Sequence, residues 1–252
     1  MPVRKKPKSS LKTYQAKRDF KKSPEPSGKG KSKLKEKMDK PGEHFFCVQK
    51  HLASHLHYDF RLEHHGVLLS WAVPKGPSLN PKDKRLAMHV EDHPLDYGDF
   101  EGVIPEGYGA GIVMLWDRGS WEPEVEDVDA ALEKGDLKFT LNGVKLKGSW
   151  VLVRTRGGPG GKPGPDGESR SWLLIKHKDK WAGSVDVTKL DKSVKSFGHF
   201  EDILAADKPD IWESHRPAEG GEAGKMLKEI IEKAAKLKLS GSTAKKNRKT
   251  KK

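Results

Sequence analysis

Cysteine is almost absent from this chain: Cys47 is the only one in 252 residues. A single thiol excludes an internal disulfide and any cysteine-rich zinc site. Its setting, Phe45-Phe46-Cys47-Val48, predicts a buried small hydrophobe rather than a nucleophile. Long apolar runs are missing too, and none approaches the ~20 residues that span a bilayer. The opening Met-Pro-Val-Arg-Lys-Lys has no apolar stretch of the signal-peptide kind. A reducing, soluble compartment, with no membrane partner, is the expectation. Hydrophobic residues are scarce at 34% and charged residues match them at 34%. Part of the chain is therefore expected to stay unfolded, with one domain in the remainder.

Positive charge is concentrated at the ends. Residues 1–40 hold fifteen Lys/Arg against four Asp/Glu, a balance of +11, and residues 225–252 hold eleven against two, or +9. The whole chain carries +13, which leaves −7 for residues 41–224. Basic ends on an acidic middle suit a polyanion, each neutralised phosphate steepening the salt dependence of binding. Nucleic acid is the partner class this predicts; the duller role for such tails is solubility. Residues 1–13 and 240–252 have little to bury and read as disordered. Residues 27–40 read as a flexible basic linker, and 225–239, with apolar residues at 226, 227, 230, 231, 234 and 237, as an amphipathic helix.

From His44 onward the pattern changes to short apolar or alternating runs divided by Gly, Pro and Asn. Strands are predicted at 44–50, 57–63, 67–73, 85–90, 111–116, 138–141, 148–154 and 172–177. Eight short strands at this spacing make a barrel or a sandwich. Hairpin turns are expected at His64-His65-Gly66 and at Leu141-Asn142-Gly143. A short helix over 127–134 would be capped by Asp127 and stopped by Gly135. The Gly/Pro-laden stretch 156–169 reads as a mobile surface loop.

The most informative stretch is His51-Leu-Ala-Ser-His-Leu-His57-Tyr-Asp59-Phe-Arg61. As a strand it sends His57, Asp59 and Arg61 to one face and Tyr58, Phe60 and Leu62 to the other. The apolar face can enter a core while the polar face lines a cleft. Two imidazoles and a carboxylate make a three-ligand metal set with open positions, and the planar cation of Arg61 beside them suits a phosphoryl group. His55 falls in a turn-like Ala-Ser-His and is expected to be exposed. A second cluster, Met88-His89-Val90-Glu91-Asp92-His93-Pro94, follows the same logic. His89, Glu91 and His93 alternate outward, Pro94 ends the strand, and His93 could hold a phosphoryl oxygen or move a proton near working pH. The glycine-rich Pro105-Glu-Gly-Tyr108-Gly-Ala-Gly111 lacks the Lys-Ser/Thr ending of a phosphate-binding loop.

Several segments in order resemble the 3′-phosphoesterase family, which includes the end-processing domain of bacterial DNA ligase D. They are Phe46-Cys-Val-Gln-Lys-His51, Leu56-His-Tyr-Asp-Phe-Arg-Leu-Glu63, Trp71-Ala-Val-Pro-Lys-Gly-Pro-Ser78 and His89-Val-Glu-Asp-His-Pro-Leu-Asp-Tyr97. Phe100-Glu-Gly-Val-Ile-Pro-Glu-Gly107 and Trp172-Leu-Leu-Ile-Lys-His177 extend the likeness to about residues 14–180. The resemblance implies a mainly β fold: a small eight-stranded β-barrel with short flanking helices, a site on one concave face, and disordered basic tails outside it. It draws 14–26 into a domain over 14–216, with 217–252 as a lysine-rich extension.

The implied activity is manganese-dependent repair of DNA 3′ ends, removing a terminal ribonucleoside and then a 3′-phosphate to leave a 3′-hydroxyl. Another divalent transition metal, zinc or cobalt, could replace manganese on affinity grounds. The implied metal ligands are His51, His57 and Asp59. Arg61 and His93 match residues that hold the scissile phosphate, Tyr97 a further active-site position, and Gln49 and Glu91 supporting polar residues. Near the N-terminus, Tyr14-Gln-Ala-Lys-Arg18-Asp19-Phe20 and Pro24-Glu25-Pro26 resemble the leading segment, with Arg18, Asp19 and Glu25 on functional positions. The glycine loop is one residue shorter than the family pattern. With no ligase or polymerase segment, the chain resembles a free-standing member whose ligase or end-joining partners would act in trans. The rival reading is a non-catalytic module that binds DNA ends or recruits a ligase.

Overall fold

The computed structural model describes residues 11–36, 44–155, 169–206 and 221–249. Ten strands form one antiparallel sheet: β1 (His44–Leu52), β2 (Leu56–His64), β3 (Val67–Val73), β4 (Arg85–His89), β5 (His93–Pro94), β6 (Gly102–Ile104), β7 (Gly111–Pro123), β8 (Asp136–Gly143), β9 (Lys147–Arg154) and β10 (Ser171–Lys176). Around the ring the order is β1-β2-β3-β4-β10-β9-β8-β7, and β7 pairs back onto β1. The result is a closed eight-stranded barrel built from the eight expected strands. The two unforeseen strands are the short ones that lie off the ring, β5 against β3 and β6 against β7.

Alternation fills the interior. Phe46 and Val48 of β1, Tyr58, Phe60 and Leu62 of β2, Trp71 of β3, Phe139 of β8 and Trp150 of β9 join one core. The rings of Phe60 and Phe139 meet across it at 5.8 Å. Each such ring removes on the order of 150–250 Å² from water, which makes this cluster the main source of stability. α4 (Phe200–Ala206) and α5 (Gly221–Lys249) pack Phe200, Ile203, Leu204, Leu227, Ile230 and Ala234 onto the same core. α3 (Val128–Lys134) starts and stops as expected: Asp127 accepts from the Ala130 amide, and Gly135 takes the left-handed conformation at φ 80°.

Four expectations need correction. The tight turn between β8 and β9 is not at Asn142-Gly143; both belong to β8, and the chain reverses over 143–146. The buried Asp117 carboxylate sets that turn by accepting from the amides of Val144, Lys145 and Leu146. Gly143 serves close approach, since a Cβ there would lie 2.6 Å from both Asp117 and Phe46. The proposed linker 27–40 is docked as far as described: α2 (Lys33–Glu36) follows Ser32, and both Ser32 Oγ and the Leu34 amide donate to Asp96. Residues 37–40 lie outside the described residues. The tails are not wholly irregular either, because α1 (Lys12–Ala16) begins within 1–13 and α5 continues through 240–249. Residues 1–10, 250–252, 156–168, where a mobile loop is expected, and 207–220, the end of the expected domain among them, lie outside the described residues.

The fourth correction concerns β4, which does not run on to Pro94. Trp71 pairs with His89 and Leu68 with His93, so β3 advances three residues while its neighbour advances four. The extra residue works as a bulge and reverses the side-chain phase. His89 therefore packs between Trp71 and Trp172, at ring distances of 5.2 and 6.4 Å. His93 turns to the opposite side, and Pro94 pairs with Val67 instead of ending a strand.

Candidate active site

The side of β1, β2 and β3 that faces away from the barrel core carries the polar cluster. Residues 11–36 and the 3-10 turn Leu95–Asp99 lie over it and build a second, smaller core from Tyr14, Phe45, Cys47, Leu68, Leu95, Tyr97 and Leu115. Burial pushes the Cys47 thiol up to about 12, in keeping with its packing role. Between this annex and the barrel wall lies a cleft of about 370 Å³. Its concavity is made by the annex and by the glycine loop 105–110, with the barrel wall as its floor.

At the centre of the floor, Asp59 Oδ2 lies 3.4 Å from His51 Nδ1, 3.8 Å from His57 Nε2 and 3.3 Å from Arg61 Nη2. Register explains the meeting: His51 pairs with His57 across β1 and β2, and Asp59 and Arg61 follow on the same face. The far nitrogen of each ring is 3.0 Å from a backbone carbonyl, His51 Nε2 from Gly109 and His57 Nδ1 from His55. A neutral ring that donates there keeps its lone pair on the other nitrogen, so both lone pairs face one carboxylate. Three electron-rich atoms converging in this way fit a divalent cation. The ligating atoms all lie within 4.8 Å of one another. Burial raises the Asp59 pKa, but the positive surroundings, the Arg61 guanidinium foremost, outweigh it and hold the carboxyl well below its ordinary range. Burial pushes His57 down, which keeps the ring neutral.

Arg61 is fixed on several sides. Its Nε donates to Gln49 Oε1 at 2.7 Å, Nη1 to Ser70 Oγ at 2.7 Å, and the Tyr97 ring lies 4.8 Å from the guanidinium carbon. Gln49 is itself pinned by donating to the Tyr97 and Phe100 carbonyls. The planar fork is therefore oriented before any anion arrives.

His93 sits between two guanidiniums. Arg18 Nη2 is 3.2 Å from its Nε2, and a guanidinium can only donate, so Nε2 is the acceptor and Nδ1–H points to the Glu91 carbonyl at 2.8 Å. Burial, then Arg61 and Arg18, push its pKa well below the ordinary value. Held this way, the ring is oriented by Arg18 and the Glu91 carbonyl, and its surroundings favour the neutral form. Arg18 also binds Glu25 Oε1 at 2.8 Å and Glu91 Oε1 at 3.2 Å, and Tyr97 Oη donates to Glu25.

The structure thus brings ten of the eleven sequence-predicted residues into one network: His51, His57, Asp59, Arg61, His93, Tyr97, Arg18, Glu25, Gln49 and Glu91. Glu25 and Gln49 support it from behind the cleft wall. Asp19 stands apart; it is exposed, and its carboxylate accepts from the Lys21 amide in a turn. His55 is exposed, as expected. Three contributors escaped sequence reasoning. Ser70, fully buried, joins Arg61 to His93 and is the cross-strand partner of Arg61. Lys17 binds Glu91 at 2.9 Å, and Tyr108, half exposed on the glycine loop, lines the cleft with the Lys17 ammonium over its ring. Only Ser70 left a readable signal, a lone polar residue inside Val67–Val73.

A model of the DNA Ligase D 3′-phosphoesterase domain matches residues 49–154. The multifunctional non-homologous end joining protein LigD of Pseudomonas aeruginosa is 54% identical over 177 residues, covering 70% of this chain and 19% of that protein. The protein of the same name from Mycolicibacterium smegmatis is 40% identical over 177 residues, covering 68% of this chain and 21% of its own length. The LigD DNA repair protein of Mycobacterium tuberculosis is 43% identical over 148 residues, covering 58% and 18%. The chain therefore spans about a fifth of the length of the curated relatives it matches.

Proposed function

The chain belongs to the DNA ligase D 3′-phosphoesterase family, and from that premise we propose that it is a metal-dependent hydrolase that repairs DNA 3′ ends. The reaction is removal of a 3′-terminal ribonucleoside, of a 3′-phosphate, or of both in turn, leaving a 3′-hydroxyl. One observation carries this reading: two imidazole nitrogens and a carboxylate converge beside a pre-oriented guanidinium, in a cleft open to solvent.

His51, His57 and Asp59 would hold the cation, for which manganese suits a mixed imidazole–carboxylate set. When bound, a divalent ion supplies Lewis-acid polarisation of a phosphoryl oxygen. Arg61 and Arg18 offer the phosphoryl group fixed donors for the negative charge that builds in the transition state, and being fixed they need no reorganisation. His93 spaces the two guanidiniums, and Tyr97 supports Arg61 through its ring. Gln49, Glu25 and Glu91 position Arg61 and Arg18. The basic flanks would raise encounter with the DNA backbone without entering the chemistry. Relatives named for non-homologous end joining support a role in that repair, so a ligase and other end-joining proteins acting in trans are the proposed partners.

The test is release of phosphate and nucleoside from matched primer–templates ending in a 3′-phosphate or a ribonucleotide, across a panel of divalent metals. Manganese is expected to support turnover, and His57→Ala to lower it by at least about 10³-fold. DNA binding without turnover in any metal would favour an end-binding module instead.

A further inference from the structure

A second group of metal-binding side chains converges at the other end of β2. His64 closes that strand, His65 and Gly66 form the turn to β3, and Asp129 stands in the first turn of α3. His64 Nε2 lies 2.8 Å from Asp129 Oδ1, and His65 Nε2 lies 3.0 Å from Oδ2 and 3.2 Å from Oδ1. The two imidazoles are in contact, with ring centroids 3.9 Å apart. The three ligating atoms fall within 4.8 Å of one another, the same closeness found for His51, His57 and Asp59. We propose that His64, His65 and Asp129 form a second metal site, separate from the cleft, that takes zinc or a similar borderline divalent transition ion.

Three features argue for a site rather than a chance cluster. The first is backbone conformation. His65 has φ 51° and Gly66 φ 79°, a turn for which Asn-Gly is the least costly pair. An imidazole at the first position is a less favourable choice for the turn, and its effect is to bring a second ring to Asp129. The second is charge. Both rings direct Nε2 at one carboxylate, so each neutral ring spends its only N–H on the same group. A single dication replaces both protons, satisfies the carboxylate and removes any need for two touching rings to share positive charge. The third is access. The His65 and Asp129 side chains are 44% and 39% exposed, whereas His64 is 12% exposed. Water can therefore complete the coordination of an ion anchored at its buried side by His64.

The ligand set selects the metal class. Two imidazoles and one carboxylate favour zinc, cobalt, nickel or copper over magnesium and calcium, which prefer all-oxygen sites. The three residues are also well anchored, on a hairpin of the barrel wall and on a helix capped by Asp127 and stopped at Gly135. An ion there would tie the β2–β3 turn to α3 and stabilise the fold by binding only the native state.

The experiment uses the full chain without a polyhistidine tag. Zinc is titrated calorimetrically, and cobalt(II) is followed by its visible absorption. His65→Asn is the decisive variant, because asparagine accepts the left-handed conformation while removing a ligand. It is expected to lose one equivalent of bound zinc, with affinity at that site falling at least about 100-fold, and to keep wild-type phosphoesterase turnover. His57→Ala should retain the equivalent that His65→Asn loses, and zinc should raise its melting temperature. Zinc should leave the melting temperature of the double variant unchanged. If His65→Asn binds as many equivalents as the wild type, or if His57→Ala binds no zinc at millimolar concentration, the second site does not exist. Should His57→Ala fail to fold, the wild type and His65→Asn alone decide the matter by the lost equivalent.

Discussion

Tyr58, Phe60 and Leu62 leave one face of β2, and His57, Asp59 and Arg61 leave the other, yet different physics holds each set in place. The first set belongs to a continuous apolar core shared by all eight barrel strands. There, ring packing and area burial are generic, and neighbours can compensate for one another. The second set is held by directed bonds: Gln49, Ser70 and Asp59 on Arg61, backbone carbonyls on the two histidines, and the Arg18–Glu25–Glu91 network behind His93. Buried ion networks add little net stability, but removing one member strands its partners at high cost. One face of the strand therefore sets how stable the protein is, and the other how well its cleft is oriented.

Paired substitutions on β2 should separate the two faces most clearly. His57→Ala is expected to cost at least about 10³-fold in turnover while melting within a few degrees of the wild type. Phe60→Ala should destabilise by about 3–5 kcal/mol, with the folded fraction turning over at the normal rate. Calorimetry and steady-state assays of the two proteins check this, and matching losses in both readouts would erase the contrast. Arg18→Ala comes next. Leaving Glu25 and Glu91 without their guanidinium should cost about 3–5 kcal/mol, concentrated in the annex. Hydrogen exchange should rise across residues 11–36 before it rises in the barrel. Arg61→Lys keeps the charge but loses the planar fork, and a fall in kcat of about 100-fold with little change in melting temperature is expected.

The smallest effect concerns Asp92, whose pKa is raised to about 6 by burial and then by Glu91. A carboxyl raised in the folded state holds its proton more tightly there than in the unfolded chain. Its stabilising share is complete below about pH 4 and is lost as pH rises through 6. Asp92→Asn should flatten that slope and stabilise the protein by about 1 kcal/mol at pH 7. Chemical denaturation at pH 4, 5, 6 and 7 would show it.

What could be read from the sequence divides along the same line. Strands of the closed ring were legible because alternation over five or more residues reports a buried face. The same period placed His57, Asp59 and Arg61 together. β5 and β6, two and three residues long, carry no period to read. The bulge before His93 defeats alternation because a single extra residue reverses every later side chain. Composition hid the annex: residues 27–36 look like a solvated basic linker, yet Asp96 captures the Ser32 hydroxyl from 64 residues away and the Leu34 amide from 62. Resemblance, not composition, drew in Arg18 and Glu25. The buried Tyr14, which donates to the Pro26 carbonyl and packs on His93, shows what holds that segment down.

The central claim is that His51, His57 and Asp59 share one ion. Anomalous diffraction at the manganese edge, from crystals of the full chain grown with manganese, tests it most directly. The expected result is a peak bounded by His51 Nδ1, His57 Nε2 and Asp59 Oδ2 that vanishes in His57→Ala. Anomalous density absent from that position, with manganese bound elsewhere or not at all, would contradict the account.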